Sequence, residues 1–162
     1  MEIANQLISQ YGYFAIFILL TLGIFGLPIP DEALMTLLGY FTHIGTLNYG
    51  LTIFIATLGA FLGMVISYII GKKAGRPLIN KLGKWLRIKE SRILKVEAWI
   101  RRFGPFSLLI AYFIPGVRHL TFYFCGIAHM RLKTYMFYGG IGALVWCFIF
   151  ITIGKLLNIM WV

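Results

Sequence analysis

Acidic residues are scarce: Asp and Glu number five in 162 residues, against 15 Lys and Arg. Charge of either sign is thin, at 12% where a soluble domain carries about 25%. A chain this poor in ionic groups cannot cover a water-facing surface, which excludes an ordinary soluble globule. Only two cysteines occur, Cys125 and Cys147, both in apolar surroundings and without CxxC or Cys/His ligand spacing. They read as buried thiols, and no metal or other cofactor is implied. The chain also lacks a GxSxG nucleophile elbow, a P-loop and a metal-ligand cluster, and of a phosphatase-like pattern it has only Arg76-Pro77. An enzyme is not expected. Met1-Glu2-Ile3-Ala4-Asn5-Gln6 lacks the basic segment of a secretory signal, and no small-residue cleavage site follows the apolar stretch. This segment is expected to stay attached.

What is abundant is apolar: 60% of residues are hydrophobic and the mean hydropathy is +0.86. The composition predicts an all-α integral membrane protein with a single membrane domain over 1–162. Residues 11–27 are almost wholly apolar, near the lower limit of about 17–20 residues for a span. Residues 33–41 form a second apolar piece that fades at His43-Ile44-Gly45-Thr46-Leu47-Asn48. That piece is too short to cross a bilayer, so residues 11–47 are predicted to form a re-entrant hairpin. Residues 50–71 have full transmembrane length, and Gly59 and Gly63 make a GxxxG that allows close helix packing. A second hairpin is predicted over 104–130 and a last transmembrane helix over 134–157.

The positive charge is concentrated between the halves. Residues 72–102 hold eleven Lys/Arg against Glu90 and Glu97, a net of +9, while the rest of the chain nets +1. Over 76–103, Leu78, Leu82, Trp85 and Leu86, then Ile93, Val96, Ile100 and Phe103, recur near the helical period with basic residues between them. Two basic amphipathic helices are predicted, parted near Ile88-Lys89-Glu90 with Ser91 as N-cap. They are expected on the inner leaflet, attracted to anionic lipid, rather than as a solvated connector. Nucleic acid is a poor partner for this charge, because the basic segment lies between two hydrophobic spans.

Two apolar stretches are broken by proline, and the breaks carry opposite charge. The first reads Leu27-Pro28-Ile29-Pro30-Asp31-Glu32 and the second Ile114-Pro115-Gly116-Val117-Arg118-His119. An ionisable residue in a membrane segment costs roughly 2.5–3.5 kcal/mol on insertion scales, so it defaults to a functional hypothesis. A proline break is tolerated there only inside protein or beside water. Broken helices in matching positions of two halves point to a transporter's binding site.

The positions do match. Pro28 to Gly39 and Pro115 to Gly126 are both eleven residues apart, which places Asp31 opposite Arg118 and Glu32 opposite His119. At an offset of 83, Gly59, Ala60, Ile66, Ile70, Gly71 and Lys72 recur as Gly142, Ala143, Ile149, Ile153, Gly154 and Lys155. If the basic segment is cytoplasmic, the two transmembrane helices run in opposite directions and the hairpins enter from opposite faces. The predicted architecture is therefore an inverted repeat of two re-entrant hairpins, each followed by a transmembrane helix.

Two readings of the charges stand. Asp31 and Glu32 could simply neutralise Arg118 and lock the hairpins together, since a buried pair is weak evidence for stability. Alternatively Arg118 binds a lipid phosphate through charge-assisted contacts while an acid releases it or carries a proton. Backbone N–H groups opening the half-helices after Pro30 and after Pro115-Gly116 would add anion affinity. His119 and His129 are candidates for a proton relay, with interfacial histidines the plainer alternative. Tyr112, Tyr123, Tyr135 and Tyr138 read as belt or packing residues.

Gly26 through Gly39, around Pro28-Ile29-Pro30-Asp31-Glu32, resembles the first hairpin of the DedA family, also called SNARE-associated or VTT-domain proteins. Phe113-Ile114-Pro115-Gly116-Val117-Arg118 through Gly126 and Met130 resembles the second hairpin, and the likeness covers residues 12–157. Gly71-Lys72-Lys73-Ala74-Gly75 and Gly140 to Trp146 fit the spans that follow. The resemblance implies two re-entrant hairpins and movement of lipids across the bacterial cytoplasmic membrane, with undecaprenyl phosphate and phosphatidylethanolamine among the family's cargoes. Many members carry a glutamate upstream of the first Pro-x-Pro and an arginine six residues before the second-hairpin arginine. Here Leu20-Thr21-Leu22-Gly23 and Tyr112 stand in those places. Arg118 and Glu32, with Asp31, are left to carry the mechanism nearly alone.

The resulting expectation is a multi-pass lipid transporter or scramblase of the bacterial inner membrane, moving a headgroup through a groove between the hairpins. Phosphatidylethanolamine suits a site of mixed sign. Undecaprenyl phosphate, with or without proton coupling, is the alternative, and a non-transporting scaffold is the rival from another class. A homo-oligomer is compatible with the sequence.

Overall fold

A computed structural model of the chain describes residues 2–24, 30–85, 89–114 and 116–157. Among the described residues seven helices follow in order: α1 (Glu2–Ile24), α2 (Asp31–His43), α3 (Tyr49–Trp85), α4 (Glu90–Phe103), α5 (Phe106–Ala111), α6 (Val117–Ile127) and α7 (Leu132–Leu157). No strand occurs among the described residues.

Local chemistry sets most of the ends. Pro30 precedes α2, and Asp31 and Glu32 occupy its first turn, where negative charge complements the helix dipole. Asn48 caps α3: its Oδ1 accepts the Leu51 N–H at 3.1 Å. Helix α3 carries the expected span past Lys72 and Lys73 and breaks at Gly75, whose φ of 64° and ψ of −159° lie outside the helical region. Arg76-Pro77 then starts a new direction, so the segment up to Trp85 is a second helical piece. The Ser91 cap is not formed. Extended Lys89 precedes α4, no side chain caps it, and Ser91 sits inside the first turn. Helix α1 reaches back to Glu2, well before the apolar stretch Tyr11–Ile24.

Two helical stretches, Tyr49–Pro77 and Leu132–Leu157, are long and apolar enough to cross a membrane. At 1.5 Å per residue both exceed a hydrocarbon core of about 30 Å. The 13 residues of α2, 11 of α6 and six of α5 do not reach that length. The surface is apolar along these elements: Phe14 and Leu22 of α1, Phe54 and Leu58 of α3, and Phe137 and Phe148 of α7 are all exposed. Water would not tolerate such faces; lipid does.

The chain divides into two compact units, 1–63 with 143–162, and 64–142. In the first, α1 lies against α3 at Gly59 and Gly63, where a Cβ would collide with the backbone of Phe17 and Thr21. Thr21 ties the same crossing by donating to the Gly59 carbonyl at 3.1 Å. Helix α2 crosses α7 with no side chain between them: a Cβ on Gly39 would meet the Ile151 carbonyl and lie 2.7 Å from the Lys155 nitrogen, and one on Gly154 would meet the Thr36 carbonyl. Leu20, Ile24, Met35, Trp146 and Ile151 form the buried core of this unit.

In the second unit α6 crosses α3 in the same manner. A Cβ on Gly126 would meet the Tyr68 carbonyl and lie 2.8 Å from the Lys72 nitrogen, and one on Gly71 would meet the Tyr123 carbonyl. Here the core is aromatic, with Tyr68, Tyr112, Phe122, Tyr123 and Tyr135 all buried. Helix α4 lies on α6 and α5, and its stripe Ile93, Val96 and Ile100 is buried. The stripe expected to face lipid is thus covered by protein, and Leu94 and Phe103 are the exposed apolar residues of α4.

The two crossings use equivalent residues. Adding 87 to Thr36 and Gly39 gives Tyr123 and Gly126; subtracting 83 from Ile151, Gly154 and Lys155 gives Tyr68, Gly71 and Lys72. Every backbone partner in one unit therefore has its counterpart in the other. The residues that match in sequence are thus the residues of two like crossings, α2 on α7 and α6 on α3.

Candidate functional site

The acidic break is described within the first unit. Asp31 is the first residue of α2 and is fully buried, at 0% exposure. Its carboxyl lies against Gly23 of α1: a Cβ there would come within 2.8 Å of the carboxyl carbon. Gly23 is therefore the space that admits the Asp31 side chain into the unit. No sequence signal marks it, because the contact joins residues from two helices. Glu32 beside it is half-buried, and its carbonyl accepts the Thr36 hydroxyl at 2.8 Å. Pro30 is exposed at the helix entrance, and Pro28 lies outside the described residues.

The basic break is described within the second unit. Gly116 has a φ of 79°, a left-handed conformation that admits glycine without strain. It turns the chain into α6, whose second residue, Arg118, is 2% exposed. The Arg118 N–H donates to the Ile114 carbonyl at 3.3 Å. His119 is half-buried, and Pro115 lies outside the described residues. His129 has a positive φ of 50° and sits in an exposed turn, away from any buried relay.

Tyr112 is fully buried in the second unit. Its ring packs on Gly142 and tilts against Phe122 at 5.1 Å, and its hydroxyl donates to the Met64 sulfur at 3.3 Å. Tyr135 donates to the Met64 carbonyl at 2.7 Å and Tyr68 to the Met130 carbonyl. All three tyrosines are buried and each hydroxyl donates to a protein acceptor. Cys125 and Cys147 are buried thiols, neither in a disulfide. Among the described residues no group of His, Cys, Asp and Glu could hold a metal.

Chemically, among the described residues each unit buries one ionisable side chain near a helix start, a carboxyl in one and a guanidinium in the other. Taking either out of water costs several kcal/mol by order of magnitude.

The VTT domain family matches residues 29–156. The chain is 60% identical to the uncharacterized membrane protein YbfM of Bacillus subtilis, over 99% of both chains. It is 32% identical to an alkaline phosphatase-like protein of Lactococcus lactis subsp. cremoris, covering 99% of this chain and 77% of that one. It is 30% identical to undecaprenyl phosphate transporter A of Bacillus subtilis, covering 95% and 76%. No solved structure matches the chain. With its exposed apolar helices and this match over most of its length, the chain belongs to the VTT-domain (DedA) family and is a multi-pass protein of the bacterial cytoplasmic membrane.

Proposed function

We propose that this protein moves a phospholipid, phosphatidylethanolamine before others, across the cytoplasmic membrane. In this reading α1–α2 and α5–α6 are re-entrant hairpins entering from opposite faces. Arg118 engages the headgroup phosphate, and Asp31 or Glu32 balances Arg118 or meets the headgroup amine. A buried guanidinium suits a phosphate as a charge-assisted, bidentate donor. The carrying observation is that a buried carboxyl and a buried guanidinium occupy equivalent positions in the repeat, each in the first turn of its helix. A site of mixed sign favours a zwitterionic headgroup. The Bacillus subtilis relative named undecaprenyl phosphate transporter A supports lipid transport in general and makes undecaprenyl phosphate the second reading.

Reconstitution in liposomes tests both. Fluorescent phosphatidylethanolamine should redistribute between leaflets with the wild type, and flux should fall roughly 10- to 100-fold in Arg118→Ala, the equivalent of one charge-assisted contact of about 1.5–3 kcal/mol. Glu32→Ala should lower flux in the same direction. Wild-type protein that moves no phosphatidylethanolamine but moves undecaprenyl phosphate would establish the second reading. Folded protein that moves neither would leave a scaffold and end the transport proposal.

A further inference from the structure

A second charged constellation lies in the second unit, at the other end of α6 from Arg118. Arg76, directly after the Gly75 break, donates to Glu97 Oε2 at 2.9 Å, and Arg101, one turn along α4, donates to Glu97 Oε1 at 2.7 Å. One carboxylate is shared by two guanidinium groups, which leaves the triad a net charge of +1. The Glu97 side chain is 19% exposed, while those of Arg76 and Arg101 are 61% and 78% exposed. Exposed ion pairs of this kind contribute little to stability. Each guanidinium carries five N–H donors, so most remain directed outward after Glu97 is served.

The triad forms one wall of a cavity of about 270 Å³. Its other wall is apolar: Ile100 of α4, with Phe124 and Ile127 from the last turns of α6. Ile127 lies nine positions after Arg118 on α6, roughly 14 Å along the axis. The cavity is therefore distinct from the buried arginine. A cationic rim beside an apolar floor, inside a segment of net +9, complements a molecule with an anionic head and a hydrocarbon tail.

We propose that this cavity binds an anionic phospholipid, its phosphate on Arg76 and Arg101 and an acyl chain on Ile100, Phe124 and Ile127. Glu97 is the internal competitor: it holds the two guanidinium groups in register and is partly displaced when the phosphate arrives. The site needs no transport activity, so it stands or falls separately from the function proposed above.

The test is native mass spectrometry of the full-length protein in neutral detergent, titrated with phosphatidylglycerol, phosphatidylcholine or inorganic phosphate. Phosphatidylglycerol should be retained at concentrations where phosphatidylcholine is not. Arg76→Gln with Arg101→Gln should weaken it about 10-fold or more, as expected for loss of charge-assisted contacts. Lys84→Gln with Lys89→Gln, which removes equal charge elsewhere in the same segment, should change it less than about twofold. Glu97→Gln should tighten binding several-fold, a gain that unfolding cannot produce. The proposal is overturned if the two lysine changes weaken binding as much as the two arginine changes, because attraction would then be diffuse. It is also overturned if Glu97→Gln weakens binding, or if inorganic phosphate displaces the lipid at equal concentration.

Discussion

The α2–α7 crossing of one unit and the α6–α3 crossing of the other are built alike and decorated differently. Both pack backbone on backbone through a pair of glycines at equivalent positions. At the head of the crossing helix, one unit buries Asp31 and the other Arg118. On its outer side, α6 is covered by α4, while the matching face of α2 is bare, with Leu37 49% and Tyr40 39% exposed beside an apolar groove of about 460 Å³. The scaffold has been repeated, and the chemistry has been differentiated on it. Features shared by the units are the ones that hold helices together; features that differ are the ones to question for function.

The largest expected effect falls on what is shared. Gly39→Val and Gly126→Val each drive a branched side chain into a carbonyl on a rigid helix, where neither backbone can yield. Each should destabilise by about 3 kcal/mol or more, beyond ordinary overpacking, because the obstacle is main chain. Thermal unfolding and size-exclusion behaviour in detergent measure it. Equal sensitivity sustains the equivalence of the crossings. A tolerant Gly39 beside an intolerant Gly126 would break it, and would mean that only the second unit depends on close approach.

A smaller effect separates the covered face from the bare one. Ile100→Ala removes a buried side chain between α4 and the rest of its unit and should cost about 2–4 kcal/mol. Leu37→Ala, on the exposed face of α2, should stay within about 0.5 kcal/mol. Proteolytic cleavage between α3 and α4 should accelerate with the first and not with the second. Similar losses from both would show that α2 is also covered in the membrane.

Much of this was legible because breaks and lengths are chemical. Pro30 with two acids, and Gly116 before Arg118, mark the starts of α2 and α6, and the long apolar stretches mark α3 and α7. The repeat was visible as matched glycines, but its meaning was not: sequence spacing cannot say that Gly39 lies on the opposite half's helix. Ser91 misled because a serine near a helix start caps only with the right backbone, and Lys89 is the residue that turns. The early start of α1 was hidden by polar residues such as Asn5 and Gln10, which carry no apolar period. The stripe of α4 announced burial without naming what would bury it. Gly23 was invisible, since its role exists only once Asp31 is folded against it.

The smallest expected effect asks whether the Tyr112 hydroxyl takes part in lipid movement. Tyr112 is fully buried, and its hydroxyl donates to the Met64 thioether, a weak acceptor. Tyr112→Phe keeps the ring that packs on Gly142 and Phe122 and removes the hydroxyl's hydrogen bonding, so stability should fall by about 1 kcal/mol. Lipid flux should then match the wild type, because the ring that packs on Gly142 and Phe122 is kept. A tenfold loss of flux at unchanged stability would put the hydroxyl in the lipid's path. The contrast between the units would then no longer be one buried charge against its opposite; the second unit would carry a cation and a neutral donor together, and its aromatic core would belong to the site as well as to the fold.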